Sequence, residues 1–334
     1  MLSSSHPKNQ PFTVAEFGAA DGSISMELIT DIIDVVREKS HPDKQIHIMY
    51  EDIPTNEFNS LYKRMNGIIP KPRSYLLDYD NVFVTTSGTN FFNQCFPSSS
   101  VDLALAFNAT HYLSKPLPLS DHVYRFFPGN QEEREAITKQ AGADWLVFLK
   151  HRANELKQGG WGVFSTVGET EATLDEPAMM GPHDIFAIMD DIWKGFVSKG
   201  LITKEEYQRF SFAACFRNAR ELQEPFNSEE LRKTGLRFDG VKFAILPCFF
   251  ATEWKERLEK GIDDRAMFAR DITTNTRTYS YSSFYGSLND DRTAEEKSQI
   301  CDLLYKEMET YFLSKHPEDF MNDYLTNTIY VFKE

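Results

Sequence analysis

Cysteine is scarce in this 334-residue chain: Cys95, Cys215, Cys248 and Cys301 lie far apart, with no C-x-x-C pair among them. That spacing argues against a zinc site or a disulfide framework and fits a reducing cytosol. Positive charge is in deficit as well, with 36 Lys and Arg against 50 Asp and Glu, a net of −14. Such a surface repels phosphate backbones and anionic lipid, so neither nucleic acid nor membrane is an expected partner. No apolar run approaches the roughly 20 residues that span a bilayer. The opening MLSSSHPKNQPF is polar and lacks the apolar stretch of a secretory leader, so a cytoplasmic location is expected. Also missing is G-x-G-x-x-G, which disfavours a nicotinamide dehydrogenase.

What is present reads as a globular protein, with 41% hydrophobic and 26% charged residues. Its length suits one large domain or two ordinary ones. Phe occurs 27 times and aromatics reach 13%, enough both to fill a core and to line an apolar ligand cavity.

The pattern alternates. A β-branched and aromatic run, 12–17, ends at Gly18, and Ile24, Leu28, Ile29, Ile32, Ile33 and Val36 then recur at helical steps, with Ser23 as the expected N-cap. Strands are expected at 45–50, 81–86, 101–107 and 161–166, with helices at 56–65 and 132–156, the latter stopped by Gly159-Gly160. Residues 184–209 turn helical without intervening strands. Strands return at 241–246 and 328–332, around a helix at 294–314. Strand, turn and helix in alternation imply an α/β fold with a mostly parallel sheet. The expected division is an α/β core of residues 1–170 and 236–334, with a helical cap at 171–235.

Two features carry chemistry. Val14 to Gly22 places Gly18 and Gly22 at a strand-to-helix turn, where the backbone can adopt positive φ and free helix N–H groups face a ligand. The second strand ends in Glu51-Asp52, and a carboxylate there can accept both hydroxyls of a ribose. Together they imply an adenosine-containing cofactor. Other groups read blandly. Asn108-Ala-Thr110 is a chance sequon, Cys215 and Cys248 are core residues, and no metal site or Ser-His-Asp triad is expected. His183-Asp184 and Asp190-Asp191 look like a solvated face.

At this point the motifs resemble a family. Glu51-Asp-Ile-Pro-Thr-Asn-Glu-Phe-Asn59 is similar to the N-D-L-P-x-N-D-F-N of the SABATH carboxyl methyltransferases, the salicylate, jasmonate and benzoate type. Val14–Gly22 resembles their A-D-L-G-C-x-S-G turn, and Gly88–Pro97 their P-G-S-F-Y-x-R-L-F-P segment. Asp144–Gly160 resembles D-F-x-x-F-L-x-x-R-A-x-E-L-x-x-G-G, and Phe196–Ile202 resembles M-V-x-E-G-L-I. The matches keep their order over roughly residues 12–330.

The resemblance implies a class I methyltransferase (Rossmann-like) fold with helices on both faces of the sheet. It implies S-adenosyl-L-methionine as cofactor. Glu16, Gly18 and Gly22 would lie along its methionine half, Asp52 and Ile53 at the ribose, and Thr89, Asn90 and Phe91 around the adenine. The substrate segment would be Asn108 to Ser114, with Asn108, His111 and Tyr112 contributing and Tyr112 standing where the family places a Trp. Phe186 would be a second pocket aromatic. The implied reaction is methylation of a small apolar carboxylic acid, aromatic or isoprenoid-like, by in-line displacement without a general base. A ring nitrogen is the alternative acceptor, and a homodimer is the candidate assembly. The family's opening Y-A-x-N-S-x-x-Q has no counterpart before Phe12, so a silent cofactor-binding relative is a second alternative.

Overall fold

The computed structural model describes residues 10–117, 119–120, 131–170, 183–210, 212–316 and 323–334. The opening segment, residues 171–182 of the expected cap and the side chains of His183 and Asp184 lie outside them. In chain order the elements are β1 (Phe12–Phe17), α1 (Met26–Lys39), β2 (Ile46–Asp52), α2 (Phe58–Met65), β3 (Val82–Gly88) and β4 (Val101–Phe107). Then come α3 (Gln131–Glu155), β5 (Leu156–Val167), α4 (His183–Ser198), α5 (Lys204–Arg209), α6 (Ala219–Gln223) and α7 (Glu229–Arg232). The chain closes with β6 (Leu236–Leu246), α8 (Phe249–Glu259), α9 (Arg265–Ser287), α10 (Ala294–Ser314) and β7 (Tyr324–Lys333).

The strands form one sheet in the order β3-β2-β1-β4-β5-β7-β6. β1 to β5 run parallel, while β7 is antiparallel to β5 and β6 antiparallel to β7. Both faces of β1 are buried, as in a parallel strand covered on both sides. Phe12 and Val14 pack with Met26, Ile29 and Ile33 of α1, whereas Ala15 and Phe17 pack with Trp145 and Phe148 of α3. The strand order reverses between β1 and β4, and in such sheets the crevice outside the carboxyl ends at that point is where ligands sit.

Three local expectations are corrected. Ser25, not Ser23, stands at the start of α1, and its hydroxyl goes to Glu16 rather than to a helix N–H. α3 stops at Glu155, and Gly159-Gly160 lies inside β5. Gly160 is there because a Cβ would come within 3.1 Å of the Val101 and Asp102 carbonyls, at the register shift between β4 and β5. Asp190 is buried rather than solvated, accepting from Tyr207 Oη at 2.7 Å and Lys194 Nζ at 2.5 Å.

The helical layer also differs from the expected block. Its core joins Phe186, Met189, Trp193 and Phe196 of α4 to Trp254 of α8, Phe268 and Ile272 of α9, and Leu304 and Met308 of α10. The layer therefore draws on two separate stretches of chain. The short helices α6 and α7 belong elsewhere, burying Leu222 and Leu231 with α3 and the sheet. Nothing in the sequence pattern marks α8 or α9. The TTNTRTYSYSS run of α9 has poor intrinsic helix propensity, and packing against α10 overrides it.

Glu206 fastens this layer. It closes a capping box with Thr203 at the start of α5, and its carboxylate accepts from Asn289 N at 2.8 Å and from Arg292 at 2.5 and 2.7 Å. Desolvation alone would raise its pKa, but the Arg292 bonds and two backbone N–H groups outweigh it and hold the carboxyl at about 2. A depressed folded pKa gives stability above the ordinary carboxyl range that is lost as pH falls toward 2. Glu206→Gln is therefore expected to lower the melting temperature at neutral pH and to flatten the acid limb between about pH 4.5 and 2. Parallel acid-unfolding curves for the two proteins would contradict this.

Candidate active site

The turn after β1 is held against the end of β2 by backbone bonds. Gly18 N and Ala19 N donate to Glu51 O at 2.9 and 3.0 Å, and Gly22 N donates to Ala19 O at 2.8 Å. Gly18 has φ +74°, and a Cβ there would lie 2.3 Å from Ala109 Cβ, in the turn after β4. That glycine lets the turns of β1 and β4 meet at the reversal of strand order.

Asp52 follows at the end of β2. Its Oδ2 accepts from Ala20 N and its Oδ1 from Ile53 N, both at 2.7 Å. Each oxygen keeps a further lone pair, and two adjacent acceptors are what a ribose diol needs. Burial raises its pKa, while the Ala20 and Ile53 N–H groups oppose the rise. Ile53 lies exposed beside it. Asp21, by contrast, is turned to Arg64, which also donates to the Asp21 carbonyl at 3.1 Å.

Two carboxyls beneath the turn are buried. Glu16 is pushed up to about 8, first by burial and then by the charges of Asp52 and Asp21, against the opposing hydroxyl of Ser25. Glu51 rises to about 8 through burial, which Arg152 and the Gly18 N–H only partly offset. Glu51 Oε2 accepts from Gly18 N at 3.3 Å, and its Oε1 is buried with no hydrogen-bond partner.

The loop after β3 is anchored from α3. Arg152 and Glu155 form a buried pair, with Nε to Oε2 at 2.6 Å and side-chain exposures of 0% and 1%. Arg152 also donates to the carbonyls of Phe91 at 2.9 Å and Asn93 at 3.0 Å. Glu155 accepts from Cys95 N at 2.5 Å and Phe96 N at 3.1 Å. Thr89 N donates to Asp52 O at 3.0 Å, so the loop starts beside the β2 carboxylate. Asn90 Oδ1 accepts from Phe92 N at 3.0 Å, and the Thr89 and Ser87 hydroxyls lie 3.2 Å apart. Phe91 is buried against Phe148, its ring 5.6 Å away, so the loop's more exposed ring is that of Phe92.

The segment after β4 meets residues 212–216. Asn108 takes φ +52° and donates its N–H to Ser165 O at 2.9 Å. Leu113 N bonds Ala213 O and Cys215 N bonds His111 O, each at 2.8 Å, and Tyr112 bridges Ala214. These bonds bring His111 and Tyr112 to an aromatic group. The Tyr112 ring lies 4.4 Å from His111 and 6.1 Å from Phe212, and Phe186 lies 5.0 and 5.8 Å from Phe212 and Phe216. Burial and the Arg217 charge push His111 down to about 3, so it is neutral at pH 7. Burial, then the Asp52 charge, push Tyr112 up to about 12, leaving it a hydroxyl donor.

The turn residues Glu16, Gly18, Gly22, Asp52 and Ile53, the loop residues Thr89 to Phe91 and the segment Asn108 to Tyr112 thus lie around the carboxyl ends of β1, β2, β3 and β4. Phe186 joins them from α4. Sequence reasoning did not reach Phe212 or Phe216, and only the aromatic spacing of 210–216 hints at them. No cluster of three metal-ligating side chains occurs among the described residues.

Comparison with known proteins gives a family-level match. The model for "SAM dependent carboxyl methyltransferase" matches residues 1–262. Among curated relatives, the O-methyltransferase acrG of Aspergillus aculeatus is 31% identical over 163 residues, 48% of this chain and 40% of that protein. Gibberellic acid methyltransferase 1 of Arabidopsis thaliana is 24% identical, covering 63% of this chain and 59% of its own length. The salicylate/benzoate carboxyl methyltransferase of the same plant is 25% identical, covering 65% and 58%. The matches thus take in two fifths to three fifths of these relatives. A solved loganic acid methyltransferase with SAH aligns over 98% of this chain and 86% of its own, at TM-score 0.68 and 17% identity. That likeness shows the class I methyltransferase fold.

A carboxyl raised to about 8 makes folding favour the protonated form. Between the ordinary range near 4.5 and 8 the folded chain keeps a proton that the unfolded chain has lost, so this contribution to stability falls as pH rises. Glu51→Gln cannot titrate. Urea unfolding from pH 5.5 to 8 is expected to show a shallower loss of stability in the variant, and an unchanged slope would remove Glu51 from this account.

Proposed function

The chain belongs to the SAM dependent carboxyl methyltransferase family, and from that premise we propose that it transfers a methyl group from S-adenosylmethionine to the carboxylate of a small acid. The observation that carries the reading is Asp52, a part-buried carboxylate pinned by two backbone N–H groups beside the Gly18 turn, with two acceptor sites to spare. The donor set fits the cofactor. Asp52 would take the ribose hydroxyls, with Ile53 against the adenosine. Glu16, Gly18 and Gly22 would border the methionine half, and Thr89, Asn90 and Phe91 the adenine.

When bound, the cofactor supplies a methyl group on a cationic sulfur. The acceptor acid is already ionised at pH 7, so no group on the chain needs to remove a proton. What the chain supplies is placement in a pocket of low polarity, an effect of about 7–11 kcal/mol for well-aligned reactants. Tyr112 would donate its hydroxyl to one carboxylate oxygen, and His111, neutral at pH 7, could donate a second bond. Asn108 would shape the turn that presents them. One or two neutral donors orient the acid without over-stabilising a charge that disappears in the transition state. Phe186, Phe212 and Phe216 favour an apolar frame, aromatic or isoprenoid-like.

The four free thiols fit a reducing compartment, and we place the protein in the cytosol. No described helix is long and apolar enough to cross a membrane. A homodimer is the candidate assembly, which sedimentation tests.

Titration calorimetry with S-adenosylmethionine, its demethylated product and NAD⁺ tests the cofactor. The first two are expected to bind at micromolar concentration and the third not at all. Asp52→Ala is expected to weaken binding by about 1.5–3 kcal/mol, and unchanged affinity would remove Asp52 from the ribose. Tyr112→Phe is expected to raise KM for acids while cofactor affinity stays intact. Loss of cofactor binding in that variant would contradict its placement at the acceptor.

A further inference from the structure

We propose that Arg217 is a positioning residue for the acceptor: its buried guanidinium fixes the segment that carries His111 and Tyr112, so that methyl transfer depends on it while cofactor binding does not. This inference rests on the carboxyl-methylation reading above. It goes beyond that reading by naming what holds the two donors in place.

His111 and Tyr112 follow β4 in a stretch, 108–114, that belongs to no helix or long strand. Such a stretch holds a site in one geometry only where neighbouring elements fix its backbone. Its far end is held by backbone bonds, from Leu113 N to Ala213 O and from Cys215 N to His111 O, each at 2.8 Å. Its near end, at Thr110, is held by a side chain. Arg217 Nη1 donates to Thr110 O at 2.6 Å, and Nη2 donates to Ala141 O, midway along α3, at 2.8 Å. Arg217 is 2% exposed, and its guanidinium carbon lies 5.9 Å from the centre of the Trp145 ring. A planar guanidinium that engages two carbonyls fixes direction as well as distance.

Arg217 is in turn fixed through its own backbone. Its carbonyl accepts from Asn327 Nδ2 of β7 at 2.9 Å, and it bridges Gly168 just beyond β5. A Cβ on Gly168 would fall 2.3 Å from Asn327 Nδ2, so the glycine leaves the room that this amide occupies. The contacts therefore run from β7 through Arg217 to Thr110, and the next two residues are His111 and Tyr112. Phe216, one residue before Arg217, meets the His111 ring edge-on at 5.5 Å. The Arg217 charge also adds to the burial that keeps His111 neutral. Arg152 anchors a different segment, the loop after β3, through the carbonyls of Phe91 and Asn93. Removing the Arg217 guanidinium thus leaves the bonds of that loop and of Asp52 in place. A shift of about 1 Å in the acceptor donors can cost about a hundredfold in rate.

The experiment measures kcat and KM for the best acceptor among benzoate, salicylate, cinnamate and geranate, in the wild type, Arg217→Met and Arg217→Lys. Calorimetry gives the Kd of S-adenosylmethionine and of its demethylated product for each. Arg217→Met is expected to lower kcat at least about tenfold and to raise KM for the acid about three- to tenfold, with both Kd values within about twofold of the wild type. Arg217→Lys, which keeps the charge and one direction of donation, is expected to fall between the two. Rates are read well below the melting temperature of the least stable variant. A purely structural role would then lower the melting temperature and leave kcat and KM unchanged, which would overturn the proposal. So would parallel losses of cofactor and acid binding, a Lys variant no better than Met, or variants too poorly folded to bind the cofactor. If the wild type methylates none of the four acids, the carboxyl-methylation reading falls and takes this role with it. An active wild type with unaffected variants removes Arg217 alone.

Discussion

The buried pair Arg152–Glu155 is the interaction on which the site depends. Both side chains leave water, and such burial is tolerable only when the remaining donors and acceptors are satisfied. Here they are satisfied by one loop. Arg152 binds the carbonyls of Phe91 and Asn93, and Glu155 binds the N–H groups of Cys95 and Phe96. The guanidinium also lies 3.9 Å over the Phe17 ring, at the end of β1. A single charge pair at the junction of α3 and β5 therefore fixes the loop after β3 against the turn after β1.

From that anchor the site can be followed outward. Arg152 has committed its nitrogen donors to the loop and to Glu155, so Glu51 gains only partial relief and holds a proton near neutral pH. Glu16, under the same turn, does likewise. The side proposed for the cofactor is thus less negative than its four carboxyls suggest, with Asp21 neutralised by Arg64 and Asp52 spread over two backbone N–H groups. On the side proposed for the acceptor, Tyr112 and His111 are both neutral, and the neighbouring rings are aromatic. Little free charge competes with an ionised acid for its place.

Much of this was legible in the sequence. The Gly18 turn, the Asp52 carboxylate, the alternation of strands and helices and the R-A-x-E motif all reside in contiguous stretches. Short-range physics constrains them there: positive φ at a turn, period-2 runs in buried strands, a pair three residues apart on a helix. The helical layer was much less readable. Its α9 is rich in Thr, Ser and Tyr and becomes helical only because α10 and α4 cover it, a tertiary effect that no window of residues contains. Ser23 and the Gly159-Gly160 pair misled for a local reason, since each has a second use: a turn in one case and a crowded register shift in the other.

The most direct test of the central claim is the chemical nature of the methyl linkage made on an acid acceptor. With S-adenosylmethionine carrying a labelled methyl group and a panel of small aromatic and isoprenoid acids, the account predicts extractable product whose label is released as methanol by mild base, as for a carboxyl ester. Label that survives base, on nitrogen or as a stable ether, would contradict carboxyl transfer. So would saturable cofactor binding with no labelled product from any acid.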